Sequence, residues 1–502
     1  MSRLLIIVQN LPVPFDRRVW LECKALVSAG HEVSVVCPKG DGDPAYQVID
    51  TVRLYKYRPY APGGSKAGFV AEYVYSFLAT AWMVARARRS GRFAVLQACN
   101  PPDIFWPIAL ILRAIDRTKF VFDHHDLCPE LYESRFPEGP RLPYRMLRAL
   151  ERRTHRTADH VVATNDSYRD IAITRSGKAM SQVTVVRTGP DPQRLTRGDT
   201  EPSLRRGRTF LAAYIGVMGP QDGVDIVLRA ADVLVHDFGR TDIAVTLIGS
   251  GDCFEDLVAL RDELGLAGHV EFTGRAPDEL VTRILSTADA GLSPDPLNPL
   301  NDLSTMNKTM EYMAFELPVV AFDLRETRIS SGEAGVYVQP NDVHKYAQAI
   351  VELMDDEPRR SKLGMLGRER VERELAWSYQ ECAYLNVYRR LIGAGKRRRT
   401  PGNGKPERVT GNGQADRPTR DARPGQFVPN GQPSDAAQNG HSSDAVQNGQ
   451  SHRGGGNGRV DQVIPNGRSS DAAQNGHSSD AAQNGQPQHL ARGSEPAEQS
   501  GG

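Results

Sequence analysis

Residues 293–328 read SPDPLNPLNDLSTMNKTMEYMAFELPVVAFDLRETR. A loop rich in Pro and Asn leads into a helical pattern over Met306–Phe315 and then into the short apolar run Val319–Ala321. A helix feeding a short β-branched run is one unit of α/β alternation. Working outward, the unit recurs. The second half offers strands at Phe210–Ile215, Ala244–Ile248, Val270–Phe272, Ala290–Leu292 and Gly335–Val338, with helices such as Val224–Val235 between them. The first half offers Leu4–Val8, Val33–Cys37, Val52–Tyr57, Ala94–Gln97, Phe120–Phe122, His160–Ala163 and Val183–Val186, with helices such as Arg17–Ala29 and Tyr144–Thr157. Such alternation predicts parallel sheets covered by helices on both faces.

The pattern restarts near Thr209 after the polar stretch Arg194–Arg208. The expected organisation is therefore α/β, with two Rossmann-like, doubly wound domains facing across a cleft. The first spans 1–195 and the second 205–394, with its last helix placed to pack back on the first domain. Ligands in such folds bind at the C-terminal ends of the strands. Beyond Lys396-Arg397-Arg398-Arg399 the composition changes. Ser-Asp-Ala-Ala/Val-Gln-Asn-Gly repeats from Ser434, Ser443, Ser470 and Ser479 in a stretch of Gly, Asn, Gln, Ser and Pro. Segment 395–502 lacks the apolar surface to offset its ordering entropy and reads as a disordered tail.

Bulk properties narrow the function. The 62 Lys and Arg nearly cancel 61 Asp and Glu, so no overall field points to nucleic acid. Six scattered cysteines without a C-x-x-C pair read as reduced, buried thiols of a cytoplasmic protein. Leu4–Val8 is too short for a signal sequence. Val70–Ala85 and Ile104–Ile115 fall short of the ~20 residues a membrane span needs and read as an amphipathic helix and a core helix.

Within the opening stretch, Ser304 or Thr305 suits a helix N-cap, and Lys308 falls in the first turn. A cation there opposes the helix dipole, so Lys308→Met is expected to leave stability level or slightly raised. An anion at the helix N-terminus reverses that judgement. Glu311 lies one turn further on the same face. Amides and Lys308 for phosphate, with Glu311 for ribose hydroxyls, suit a nucleoside diphosphate; a local Lys308–Glu311 surface pair fits the spacing equally.

Asn307-Lys308-Thr309-Met310-Glu311-Tyr312-Met313-Ala314, followed by Pro318-Val319-Val320, resembles the donor-site signature of glycosyltransferase family 4, retaining enzymes of the GT-B fold. Other elements follow in the family's order: Gly30-His31-Glu32-Val33, Asp123-His124-His125-Asp126 with Pro129-Glu130, Thr188-Gly189-Pro190-Asp191, Gly249-Ser250-Gly251-Asp252 and Phe272-Thr273-Gly274. The resemblance covers most of residues 3–392 and none of the tail. It implies that Glu311 binds the nucleotide ribose and that His125 meets the donor sugar. It places Gly216, Gly219, Gly249, Gly251, Ser304, Thr305 and Asn307 around the donor, and Asp16, Arg17 and Arg18 on the acceptor side. Leu303 stands where the family has its first Glu, with Asp302 one position away as the alternative catalytic carboxylate. The basic residues of the diphosphate loop are replaced by Val217 and Asp222. Lys308, Arg275 and helix amides are left to balance the diphosphate.

The implied reaction moves a hexosyl group from a nucleotide diphosphate sugar to a hydroxyl of a sugar or lipid-linked acceptor, with retention and with no cofactor or metal. Asp41-Gly42-Asp43 reads as a turn, and neighbours in Asp123–Asp126 point to opposite sides of an extended chain. Two rival readings are a sugar-nucleotide epimerase of similar shape and a degenerate, non-catalytic subunit. Arg141, Arg145, Arg148, Arg152, Arg153 and Arg156, with Val70–Ala85, suggest peripheral contact with the inner face of a membrane.

Overall fold

The computed structural model describes residues 1–40, 42–60 and 66–397. The disordered tail read over 395–502 lies outside them from residue 398 on, as does Asp41 of the Asp-Gly-Asp turn; residues 395–397 instead continue the last helix. The first domain runs β1 (Arg3–Ile7), α1 (Arg17–Ser28), β2 (Glu32–Pro38), β3 (Tyr46–Ile49), β4 (Val52–Tyr57), α2 (Lys66–Arg88), β5 (Val95–Cys99), α3 (Trp106–Asp116), β6 (Lys119–His124), α4 (Cys128–Arg135), α5 (Arg141–Thr157), β7 (His160–Ala163), α6 (Asp166–Ser176) and β8 (Val183–Val185). The second runs β9 (Phe210–Ile215), α7 (Val224–Asp232), β10 (Ile243–Ile248), α8 (Phe254–Glu263), β11 (Val270–Gly274), α9 (Asp278–Thr287), β12 (Ala290–Ser293), α10 (Pro299–Leu303), α11 (Asn307–Ala314), β13 (Val319–Phe322), α12 (Arg325–Ser331), β14 (Gly335–Val338), α13 (Val343–Asp355) and α14 (Glu357–Arg370). Helix α15 (Trp377–Arg397) closes the described chain.

The first sheet has the order β3-β4-β2-β1-β5-β6-β7-β8, parallel except for β3 against β4; the second, β11-β10-β9-β12-β13-β14, is parallel throughout. Strand composition explains the layering. In β1, Leu4 and Ile6 feed one apolar cluster while Leu5 and Ile7 feed another, so both faces of the sheet are buried. In β9, Leu211 and Ala213 pack on one side, and Ala212 and Tyr214 on the other. Unbroken apolar runs are what a sheet covered on both faces requires.

Two sequence readings need correction. Strand β3 was not expected; it is a half-exposed edge strand, with no buried face to mark it. The thiols are not uniformly buried, since Cys382 is exposed and Cys253 is partly so.

Two features position the site. Helix α15 follows the second domain's helices yet packs on the first, where Trp377, Tyr384, Val387 and Tyr388 join the cluster behind α1. The two passages of chain between the domains touch: Trp377 N–H donates to Pro190 O at 3.2 Å, and a Cβ on Gly189 would lie 1.9 Å from Leu375 O. Helix α11 lies flat on β12 because Gly291 has no side chain. A Cβ there would stand 2.2 Å from Cγ of the buried Tyr312. The Tyr312 hydroxyl accepts from Ile215 N–H at 2.9 Å and donates to Leu292 O at 3.0 Å, stitching α11 to β9 and β12. Gly291→Ala is therefore expected to destabilise the protein by about 1–3 kcal/mol, the scale of overpacking, in urea unfolding of the full chain. Unchanged stability would mean that α11 is free to lift off the sheet.

Candidate functional site: two loop clusters across a cleft

On the second domain, the loop after β9, Gly216–Gly223, packs against the loop after β10. Gly249 has φ +138°, and a Cβ there would stand 1.8 Å from Gly216 O; one on Gly251 would stand 2.6 Å from Met218 O. These two glycines let loop meet loop rather than opening space for a ligand. Asp222 occupies the position of an expected cation, and its Oδ2 accepts the Gly219 N–H at 2.9 Å. Burial pushes its carboxyl up to about 6, with Lys308 opposing and Asp295 adding to the rise.

Lys308 is nearly buried and is not paired with Glu311. Its Nζ donates to Asp295 Oδ1 at 2.6 Å and lies 5.1 Å from the Tyr214 ring centroid. Its Cε would be 3.5 Å from a Cβ on Gly216, which places the ammonium group's stem beneath the loop. Asp295 is itself held by the Ser293 hydroxyl at 2.5 Å. The lysine charge is thus already matched by a buried carboxylate.

Glu311 projects from α11 into the cleft. Its Oε1 accepts from Arg17 Nη1 at 3.2 Å, while Arg17 Nη2 reaches Asp278 Oδ1 at 3.0 Å. Burial raises the Glu311 carboxyl and Arg17 counters it. Arg17, the first residue of α1, therefore does face the cleft.

Its neighbours do not. Asp16 caps α1, accepting Val19 N–H at 3.0 Å. Arg18 is buried; its Nη2 donates to Asp123 Oδ1 at 2.9 Å and its Nη1 to Val186 O at 2.8 Å and Thr188 Oγ1 at 3.0 Å. Both are structural, because each side chain is used up within the first domain. Asp123 Oδ2 lies 2.7 Å from His125 Nε2. Burial works against the Asp123 charge, but Arg18 and His125 hold its carboxyl well below the usual range. Arg18 Nε also lies 2.9 Å from His125 Nε2, and one nitrogen cannot donate and accept at once. The shorter contact to an ionised carboxylate assigns the Nε2 proton to the Asp123 bond, leaving Nδ1 as the second functional nitrogen. Glu22 and Gln97 complete the buried floor, with Gln97 Nε2 donating to Glu22 Oε2 at 2.7 Å.

The remaining sequence candidates divide. Ser304 and Thr305 do not cap α11; Met306 is the N-cap and offers no side-chain bond. Ser304 instead meets the Tyr168 hydroxyl at 2.8 Å, and Thr305 accepts from Asn165 at 3.1 Å, so both are drawn into contact with the first domain. Asp302 accepts the Arg325 N–H at 2.9 Å and so serves α12, not a reaction centre. Asn307 is exposed at the start of α11. Arg275 is exposed and stacks 5.6 Å from the Phe15 ring across the cleft. Sequence reading overlooked Arg135, at the end of α4, which donates from Nε to Gln221 Oε1 at 3.1 Å and from Nη1 to Asp252 Oδ2 at 3.3 Å.

Among the described residues, side chains that suit a metal form two trios on opposite sides of the end of β6: Cys99, Asp123 and His125, and His124, Glu151 and His155. In each the carboxylate is already paired, Asp123 with Arg18 and Glu151 with Arg175. Burial, with Arg175 nearby, pushes His124 down to about 3. Asp43 takes bonds from Gly40 N–H and Lys56, as a turn residue would.

Residues 16–194 match the family model described as Glycosyltransferase Family 4, and residues 209–356 the one described as Glycosyl transferases group 1. A phosphatidyl-myo-inositol mannosyltransferase of Mycolicibacterium smegmatis is 33% identical over 196 residues, covering 38% of this chain and 47% of that protein. A D-inositol 3-phosphate glycosyltransferase of Thermomonospora curvata is 29% identical over 250 residues, covering 46% of this chain and 57% of that protein. The chain spans about half the length of these curated relatives. Among solved structures, sucrose-phosphate synthase of Thermosynechococcus elongatus superposes with a TM-score of 0.66 at 17% identity, covering 78% of this chain and 100% of that one. HepE of Anabaena in complex with UDP-glucose gives 0.57 at 15% identity, covering 77% and 99%. At such identities the likeness is one of fold.

The Lys308–Asp295 pair reverses the stability expected from sequence. Lys308→Met strands a buried carboxylate and should cost about 3–5 kcal/mol, read by denaturant unfolding. Stability level with the parent would show that the pair is not formed in solution.

Proposed function

The chain belongs to glycosyltransferase family 4, and we propose that it moves a hexosyl group from a nucleotide diphosphate sugar to a hydroxyl acceptor, with retention and without a metal ion. One observation carries this reading: Glu311, presented by α11 at the C-terminal edge of the second sheet, faces a first domain whose buried Arg18–Asp123 pair holds His125. Glu311 takes the ribose hydroxyls, the loop at Gly216 and Gly219 takes the diphosphate, and His125 meets the sugar. The acceptor hydroxyl attacks on the face the diphosphate leaves. The C1–O bond to phosphate breaks as the new C1–O bond forms, and the departing phosphate oxygen receives the hydroxyl proton. The protein's contribution is positioning and stabilisation of leaving-group charge. Metal independence is supported by the arginines already paired with both candidate carboxylates.

The acceptor reading is lipid-linked, at the inner face of a membrane. Among the described residues no helix is long and apolar enough to cross a bilayer. Helix α2, however, exposes Val70, Val74, Leu78 and Trp82 along one stripe, and α3 exposes Ile111 and Ile115. A cavity of about 580 Å³ beside α5 is lined by arginines from Arg141 to Arg156. Arg153 lies over Trp106 of α3 at 4.9 Å, which joins the basic and apolar surfaces. Apolar contact with flanking cations is the chemistry of interfacial docking. Binding to anionic liposomes is expected at low salt and should fall as salt is added; absence of flotation at low salt contradicts docking.

Donor recognition has its own test. Glu311→Gln should weaken binding of the cognate nucleotide sugar by about 1–3 kcal/mol, as expected when polar partners are left unmatched. Calorimetry across UDP, GDP and ADP sugars checks this. Unchanged affinity for the donor that the parent binds would remove Glu311 from the site.

A further inference from the structure

We infer that Arg135, on the first domain, supplies the cation that the diphosphate loop of the second domain lacks. The inference rests on the donor reading above and adds a residue to it.

The loop itself is electrostatically poor for a diphosphate. Val217 and Asp222 hold the positions where a cation is wanted, and the Asp222 carboxylate already occupies the Gly219 N–H. Asp295 adds a second carboxylate close by, and Lys308 neutralises only one of the two. A donor with two negative charges would enter a pocket that is net negative above about pH 6, where Asp222 ionises. Other cations nearby are committed or turned away. Arg17 bridges Glu311 and Asp278, Arg194 pairs with Asp278, and Arg275 lies exposed over Phe15.

Arg135 differs. It touches both glycine loops, at Gln221 on one and Asp252 on the other. Gln221 packs directly beside Gly219: its amide nitrogen would be 2.9 Å from a Cβ on that glycine. Among the described residues nothing bonds to Arg135 Nη2, so the guanidinium retains a free edge. Its charge also reaches Asp222, where it works against the rise that burial imposes on the carboxyl. Helix α4 starts two residues after Asp126, so the segment that carries His125 to the sugar also carries Arg135 to the diphosphate. As the glycosidic bond breaks, its electron pair passes to the phosphate oxygen, and a guanidinium beside that oxygen opposes the growing charge. Because Arg135 comes from the opposite domain, this stabilisation exists only where the two domains meet across the loop.

The alternative is that Arg135 and Asp252 form an exposed ion pair of small worth. Four full-length variants separate the readings: Arg135→Gln, Arg135→Lys, Asp252→Asn and Glu311→Gln. Steady-state transfer and nucleoside diphosphate titrations are run on each, with UDP, GDP and ADP in parallel. Arg135→Gln should lower kcat by about 100-fold or more, with a smaller change in donor KM and an unchanged Tm. Arg135→Lys should recover part of the rate, and Asp252→Asn should leave it near normal. Equal, small effects of Arg135→Gln and Asp252→Asn, with Glu311→Gln still weakening the nucleotide, would overturn the inference and leave the donor reading standing. If Glu311→Gln also binds normally, the donor reading itself has failed.

Discussion

The site depends on one buried guanidinium. Arg18 extends from α1 beneath the cleft and binds Asp123 at the end of β6, together with Val186 O and Thr188 at the start of the passage between domains. A charge so deeply placed is tolerable only when it is fully paired. The pairing constrains everything around it. Asp123 stays ionised and holds His125; Glu22, one turn along α1, has its carboxyl pushed well up by burial and by Asp123, with Arg18 opposing the rise. Gln97 ties this cluster to α15, accepting from the Tyr384 hydroxyl at 2.8 Å and also from Tyr388. A helix that belongs in sequence to the second domain thus supports the floor of the first domain's site.

Charge across the cleft is divided between the domains. The second domain presents carboxylates, Glu311, Asp278, Asp222 and Asp252, with Arg275 as an exposed cation over Phe15, while the first presents arginines, Arg17 and Arg135. Complementary potentials of this kind fix register between two surfaces more than they add binding energy. The apolar and neutral contacts around Leu300, Ser304 and Tyr168 fasten the other side, where Ser167 meets the buried Glu326 at 2.6 Å. An anion entering between the two meets cations contributed mainly by the first domain.

Much of this was legible in sequence because parallel strands buried on both faces are written as unbroken apolar runs. The half-exposed edge strand β3 has no such run. Local cap logic fits Asp16, which stands three residues before Val19 and caps it, although Asp16 was expected on the acceptor side. It failed at Ser304 and Thr305, whose hydroxyls are taken by Tyr168 and Asn165, well over a hundred residues distant. Lys308 was expected in the first turn of the helix, where it stands, but its partner Asp295 sits in a Pro-rich turn that no helix periodicity connects to it. Arg135 carries no motif at all; only the meeting of two domains reveals it.

The central claim is that this cleft transfers a sugar without a protein nucleophile, its two domains sharing the work of holding the donor. The most direct measurement is proton NMR of the full chain with the nucleotide sugar it binds and a simple alcohol acceptor, following the anomeric signals from the first turnover. The account predicts release of the nucleoside diphosphate and a new glycoside of the same anomeric configuration as the donor, with the remaining donor unchanged. Appearance of an inverted glycoside, or conversion of the donor sugar into its epimer, would contradict it.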